Sequence, residues 1–317
     1  MSVTAACIRF MSAIAELPVS SPSQSFALAG GPVLVASDGT AVSHEALFNA
    51  GRLVSSAFGG PLEVIGVCEP MPGGAAGMDV LPVPAELDEA RRANMLDDLR
   101  RSVNISAAGD PSWPITVLVG SPARTLAAEA DRRGAALVVM GIGRHNPLDR
   151  LFGTETTLAT LRESRVPVLA VGPSFPAVPT HAVVGLDFSV ASVQAANLAL
   201  HLLAPGGRLT LVHVRPRFEH PSADWQAWDV EYGRTLPPLF DQVTAQLDVP
   251  RGVTVDTVTV RGDPAPALLA YAQQANADLV AVGTQRHSLY ERLVVGSVTT
   301  RVLRTARVGV LAVPATG

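Results

Sequence analysis

The sequence contains no lysine, and all 24 of its basic residues are arginine. That absence removes several reaction classes at once. A P-loop needs its lysine on the phosphates, a pyridoxal enzyme needs one for its Schiff base, and a protein kinase needs an ion-paired one. Cysteine is almost absent as well. Cys7 and Cys68 are too few for a disulfide framework and too far apart for a CxxC pair, which points to a reducing, cytoplasmic setting. No apolar run approaches the roughly 20 residues of a membrane helix, because Arg, Asp, Gly or Pro interrupts each one, so no membrane partner is expected. Charged residues make up only 16% of the chain, and the net charge of −4 comes without a basic block. That leaves no electrostatic footprint for nucleic acid.

Hydrophobic residues account for 48% of the 317 positions, enough to exclude disorder and to fill two cores of the usual domain size. Residues 1–30 carry no helical or strand period. Ala27-Leu28-Ala29 has the look of a signal-peptide cleavage site, but Glu16 and Pro18 interrupt the apolar segment that should precede it. These residues are read as a flexible N-terminal tail, with Met11 as an alternative start.

Beyond the tail the chain repeats itself. "PVLVASD" from Pro32 has its counterpart in "HAVVGLD" from His181, and "FGGPLEVIGV" around Gly59-Gly60 in "PGGRLTLVHV" around Gly206-Gly207. "VLVGSPARTLAAEA" from Val117 answers to "VTVRGDPAPALLAYA" from Val258, and "RVPVLAVGP" from Arg165 to "RVGVLAVP" from Arg307. The order is unchanged and the offset stays at about 140–150 residues, which is the signature of duplication. The two units are placed at 31–175 and 178–317. Within each, apolar runs too continuous for a half-solvated sheet alternate with helical patterns. The pattern predicts an α/β chain of two tandem Rossmann-like domains, each a five-stranded parallel sheet with helices on both faces. In such a sheet a ligand sits beyond the carboxyl ends of the strands, where the strand order reverses.

Three features recur at that place. Asp38 and Asp187 end the first strand of each unit. They read either as acceptors for the amides of the next helix or as contacts for a ribose hydroxyl or a magnesium ion. A glycine-rich stretch follows the fourth strand, "MGIGRHNPLDRLFGTETT" from Met140 and "VGTQRHSLYERLVVGSVTT" from Val282. There Gly153-Thr154 and Gly296-Ser297 open a helix whose unpaired amides, hydroxyl and dipole suit a phosphate, although Thr154 and Ser297 also fit as plain N-caps. The third feature, Gly120-Ser121-Pro122 and Gly262-Asp263-Pro264, reads as a structural helix start.

The second feature resembles the Gly-x2-Gly-x9-Gly-Ser/Thr signature of the universal stress protein family, and the resemblance runs through both units from residue 32 to 317. It implies an adenine-nucleotide-hydrolase-like fold and ATP, with or without magnesium, as ligand. The implied contacts are Asp38, Val67, Gly141, Gly143, Gly153 and Thr154 in the first copy and Asp187, Val214, Gly283, Gly296 and Ser297 in the second. Both copies depart from the signature. Copy one has a single residue between Gly141 and Gly143, and copy two has Arg286 where the second glycine belongs. A side chain there blocks close backbone approach or replaces it with a charge, so copy one is expected to be the better site, with Arg144 and Arg150 near it.

Neither copy shows a general base beside the glycine stretch, so at most slow ATP hydrolysis is expected. The seven histidines lack HxxxH or HExxH spacing and suggest no metal site. His145 and His287 recur in the two glycine stretches, either as phosphate contacts or as polar loop residues. No GxSxG elbow occurs. Trp225, Trp228 and Tyr232, in a segment peculiar to copy two, read as a partner surface or as a cluster lying on their own domain. The resemblance also implies pairing through the final strands, Val166 to Val171 and Val308 to Val313. In a tandem chain this gives an intramolecular pseudo-dimer, or a homodimer of such units. The expected role is a nucleotide-dependent regulator of stress response acting on a protein partner not named by the sequence. The alternative is an interaction protein with two degenerate pockets.

Overall fold

The computed structural model describes residues 30–39, 44–70, 85–142, 154–217, 223–284 and 296–315. The first copy runs β1 (Val33–Ala36), α1 (His44–Phe58), β2 (Leu62–Cys68), α2 (Ala85–Ile105), β3 (Ile115–Val119), α3 (Pro122–Arg133), β4 (Leu137–Gly141), α4 (Thr154–Glu163) and β5 (Val168–Val171). The second repeats this as β6 (His181–Gly185), α5 (Val190–Leu202), β7 (Arg208–Arg215), α6 (Ala223–Thr244), β8 (Thr254–Arg261), α7 (Pro264–Gln274), β9 (Leu279–Thr284), α8 (Ser297–Thr305) and β10 (Gly309–Pro314). Pro122 and Pro264 open α3 and α7 as the sequence predicts, since a proline in the first turn forfeits only an amide that has no partner there. Among the described residues no helix is long and apolar enough to cross a membrane.

The strands form one ten-stranded sheet in the order β3-β2-β1-β4-β5-β10-β9-β6-β7-β8. Within each copy every pairing is parallel, and the halves meet where β10 lies antiparallel to β5, with Val310 opposite Ala170, Leu311 opposite Leu169 and Ala312 opposite Val168. Alternate residues of each strand enter opposite cores. Val33 and Val35 enter the core that also holds residues of α1, α2, α5 and α6, whereas Leu34 and Ala36 enter the one that holds residues of α3, α4, α7 and α8. Both cores continue across the junction: Leu169, Val171, Leu311 and Val313 belong to the first and Val168, Ala170, Val310 and Ala312 to the second. All eight are fully buried. Phe175, in the connection between the copies, packs into the first core, and Phe58 on α1 meets His201 on α5 at 6.0 Å between ring centroids.

Copy two carries a buried polar tie in its first core. His213 on β7 approaches the Leu186 carbonyl through Nδ1 at 2.8 Å and the Tyr232 hydroxyl through Nε2 at 2.7 Å. A carbonyl only accepts, so Nδ1 carries the proton and Nε2 accepts from Tyr232. Burial pushes the Tyr232 phenol up to about 12, keeping that donor protonated. Burial also pulls His213 below the usual histidine range, against the opposing effects of the Leu186 carbonyl and Asp187. His44, at the start of α1, is lowered by burial as well.

Two consequences are measurable. Leu311→Ala should cost about 2–5 kcal/mol in urea denaturation. Since both cores cross the junction, tryptophan fluorescence and circular dichroism should still follow one transition; separate transitions for the halves would contradict a continuous core. The second concerns pH. The folded pKa of His213 lies below the unfolded value of about 6.5, so in that interval the unfolded chain takes up a proton that the folded chain refuses. Stability therefore falls as pH drops below about 6.5 and levels off near neutrality. His213→Gln should flatten this acid limb between about pH 5 and 7, and an unchanged slope would show that His213 does not contribute to it.

Candidate functional site

In copy one the chain leaves β1 for β2 on one side and returns to β4 on the other, so the strand order reverses between β1 and β4. The equivalent reversal in copy two lies between β6 and β9. Because β5 and β10 are antiparallel, the two crevices open at opposite rims of the sheet.

The copy-one crevice gathers residues from four elements. The β1–β4 register pairs Ala36 with Met140, which brings Gly141 level with Ser37 and sets Asp38 just beyond. Ser37 is buried, donates its amide to the Ile65 carbonyl at 3.0 Å and receives the Gly39 amide on its hydroxyl at 3.3 Å. Gly39 takes a positive φ of 79°, a conformation that turns the chain sharply away from the strand. Asp38, half-buried at this turn, lies close enough to His44 for its charge to raise the imidazole pKa against burial. His44 is 7% exposed and stacks on Phe48 at 5.6 Å, and its Nε2 is buried with no hydrogen-bond partner. Thr154 starts α4 and is half-buried. Gly143 and Gly153, together with Arg144, His145 and Arg150, lie outside the described residues.

Spacing among the histidines along the chain does not single out His44. Its legible signal is position: the first residue of the helix that follows the strand-end aspartate stands over the carboxyl edge of the sheet.

Copy two has the same frame with different contents. Asp187 is exposed, and its Oδ1 accepts the Ser189 amide at 3.0 Å and the Ser189 hydroxyl at 2.5 Å. Ser189 in turn is the N-cap of α5, accepting the Ser192 amide at 3.3 Å. The aspartate thus supports the cap through Ser189. Phe188 replaces the copy-one glycine yet keeps its positive φ, 63°, and its buried ring packs on His213 at 4.8 Å and Phe240 at 5.5 Å. That packing offsets the strain of a bulky residue in the left-handed region.

Gly283 is crowded from the opposite side. A Cβ there would lie 2.5 Å from the Ser192 amide nitrogen and 2.6 Å from the Ala191 carbonyl carbon. Its missing side chain admits the first turn of α5. On α8, Gly296 occupies the N-cap position and Ser297 is the first helical residue, exposed, while Thr299 donates its hydroxyl to the Gly283 carbonyl at 3.4 Å. Arg286 and His287 lie outside the described residues.

Val67 is fully buried in the second core, and Val214 packs against the same core at the equivalent place. The aromatic residues of copy two lie on their own domain. Trp228 stacks on Tyr232 at 5.1 Å and 8°, Trp225 meets Trp228 edge-on at 5.6 Å, and the Arg215 guanidinium sits 5.6 Å from the Tyr232 ring centroid. Arg215 and Arg261 converge on Asp229 of α6, which fastens that helix to the ends of β7 and β8.

Comparison with known proteins agrees with this architecture. The universal stress protein family matches residues 31–172 and again residues 180–314. Among solved structures, a universal stress protein from Archaeoglobus fulgidus DSM 4304 superposes with a TM-score of 0.57 at 19% identity, covering 90% of this chain and 97% of that one. A protein of unknown function from Pseudomonas aeruginosa PAO1 gives 0.58 at 15% identity, covering 92% and 95%. At these identities the likeness is one of fold. A universal stress protein solved in complex with cAMP covers 43% of this chain and 97% of its own at 23% identity, with a TM-score of 0.34. No curated protein matches the sequence. With the family matched twice, in sequence and over nearly the whole described fold, the chain belongs to the universal stress protein family and carries two of its domains in tandem.

Proposed function

We propose that copy one binds an adenine nucleotide and that its occupancy governs how the chain meets a protein partner during stress, while copy two supports the first. The observation that carries this reading is the approach of Asp38 to His44 at the strand-order reversal between β1 and β4, with Gly141 ending β4 and Thr154 opening the helix that follows it. Each supplies a distinct capability. The Asp38 carboxylate accepts from ribose hydroxyls. The first turn of α4, with its unpaired amides and the Thr154 hydroxyl, suits phosphate oxygens along the positive end of the helix dipole. A buried imidazole nitrogen without a partner is costly in a dry interior, and a polar group of the ligand would relieve that cost at His44. ATP, with or without magnesium, is the ligand expected.

The second copy is the poorer site. The first turn of α5 lies against Gly283, and Asp187 is engaged with the cap at Ser189. The reading is one of binding: a chain without lysine lacks the usual phosphate-neutralising side chain of a fast phosphoryl-transfer enzyme.

Thermal unfolding with and without magnesium-ATP tests it. A ligand at a hundred times its dissociation constant stabilises the folded state by about 2.7 kcal/mol. Asp38→Ala should abolish the shift and Asp187→Ala should leave it. If the wild-type chain shows no shift and no nucleotide copurifies, the reading fails and both pockets are degenerate.

A further inference from the structure

Helices α4 and α8 pack on each other across the junction, each leading into one of the two antiparallel strands that join the copies. Their directions are therefore opposed, and the last turn of α8 reaches the first turn of α4. There Arg304 grips Glu155 with two contacts, Nε to Oε1 at 3.0 Å and Nη2 to Oε2 at 3.2 Å. Glu155 adjoins Thr154, the residue that opens the copy-one helix. The first turn of α8 carries no acid, so this carboxylate clasp has no counterpart at the opposite rim.

As a fastener the clasp is weak. Both side chains are more than half exposed, at 51% and 72%, and exposed pairs of this kind contribute roughly 0–1 kcal/mol. The junction already has eight fully buried strand residues across two cores. What the clasp does achieve is placement. It parks a planar guanidinium, whose fork matches phosphate as well as carboxylate, beside the helix N-terminus proposed to hold phosphate. Glu155 is a single negative charge in water; a terminal phosphate carries more charge and more acceptor oxygens.

We propose that Arg304, a residue of copy two, completes the copy-one site by binding the outer phosphate of the nucleotide, and that Glu155 is the carboxylate which this phosphate displaces. The inference rests on the reading of copy one as a nucleotide site. It makes Arg304 a specificity residue, selecting nucleotides with a phosphate chain long enough to reach the end of α4. It also explains a use for the second copy that its own crowded crevice does not supply: the duplication delivers an arginine within one chain.

Isothermal titration of the full chain with ATP and with adenosine, in low-salt buffer, tests this. For Arg304→Ala, loss of a charge-assisted contact should weaken ATP about tenfold or more while adenosine affinity stays within about twofold of wild type. Glu155→Gln, which frees the guanidinium and removes a like charge, should tighten ATP. If Arg304→Ala weakens both ligands equally, the residue is only a structural clasp and the proposal is overturned. It is equally overturned if wild type binds ATP and Arg304→Ala binds it unchanged, an outcome that leaves the nucleotide site itself intact. Failure of wild type to bind either ligand refutes the underlying site and this inference with it.

Discussion

A parallel sheet built from alternating strands and helices ends in an edge strand whose hydrogen-bonding groups and apolar faces need cover. In this chain the requirement falls on β5 and β10. Val168, Leu169, Ala170 and Val171 are apolar on both faces, as are Val310, Leu311, Ala312 and Val313, and each strand is the other's cover. The antiparallel join follows from the duplication, because two equivalent edges meet most simply about a local two-fold axis. From that one contact come the continuous ten-stranded sheet, the two cores that ignore the boundary between copies, and the opposed rims on which the two crevices open. It also sets α4 against α8 and α1 against α5.

Once the copies are bound together in one chain, they are free to differ. Copy one keeps a glycine at the turn after its aspartate and, near that aspartate, a buried imidazole with an unpartnered Nε2. Copy two fills the same neighbourhood with its own atoms: Phe188 packs against His213 and Phe240, and Tyr232 and Trp228 stack beside them. The contrast is one of a small residue and an imidazole at the turn of one half and a packed aromatic cluster at the turn of the other.

Much of this was legible in the sequence. Continuous apolar runs interrupted by helical patterns gave the parallel order of strands, and the family resemblance implied a pairing of the final strands that the fold displays within the chain. The aspartates could be placed at strand ends because an acid after a fully apolar run has nowhere else to go. Other features were hidden for physical reasons. Gly283 reads as a residue that admits phosphate, yet a glycine that admits a helix backbone is the same letter. Ser297 reads as an N-cap, but its neighbour Gly296 takes that position. His44 has no spacing partner along the chain, since its significance comes from burial beside Asp38. The Arg304–Glu155 contact joins residues 149 positions apart through a helix pairing that only the junction creates.

The central claim is that duplication has produced one working nucleotide site per chain, in copy one. Native mass spectrometry of the intact chain titrated with ATP measures this directly, because it counts ligands on each protein. The account predicts saturation at one nucleotide per chain, lost when Asp38 is replaced by alanine. Saturation at two, or no binding at all, would contradict it.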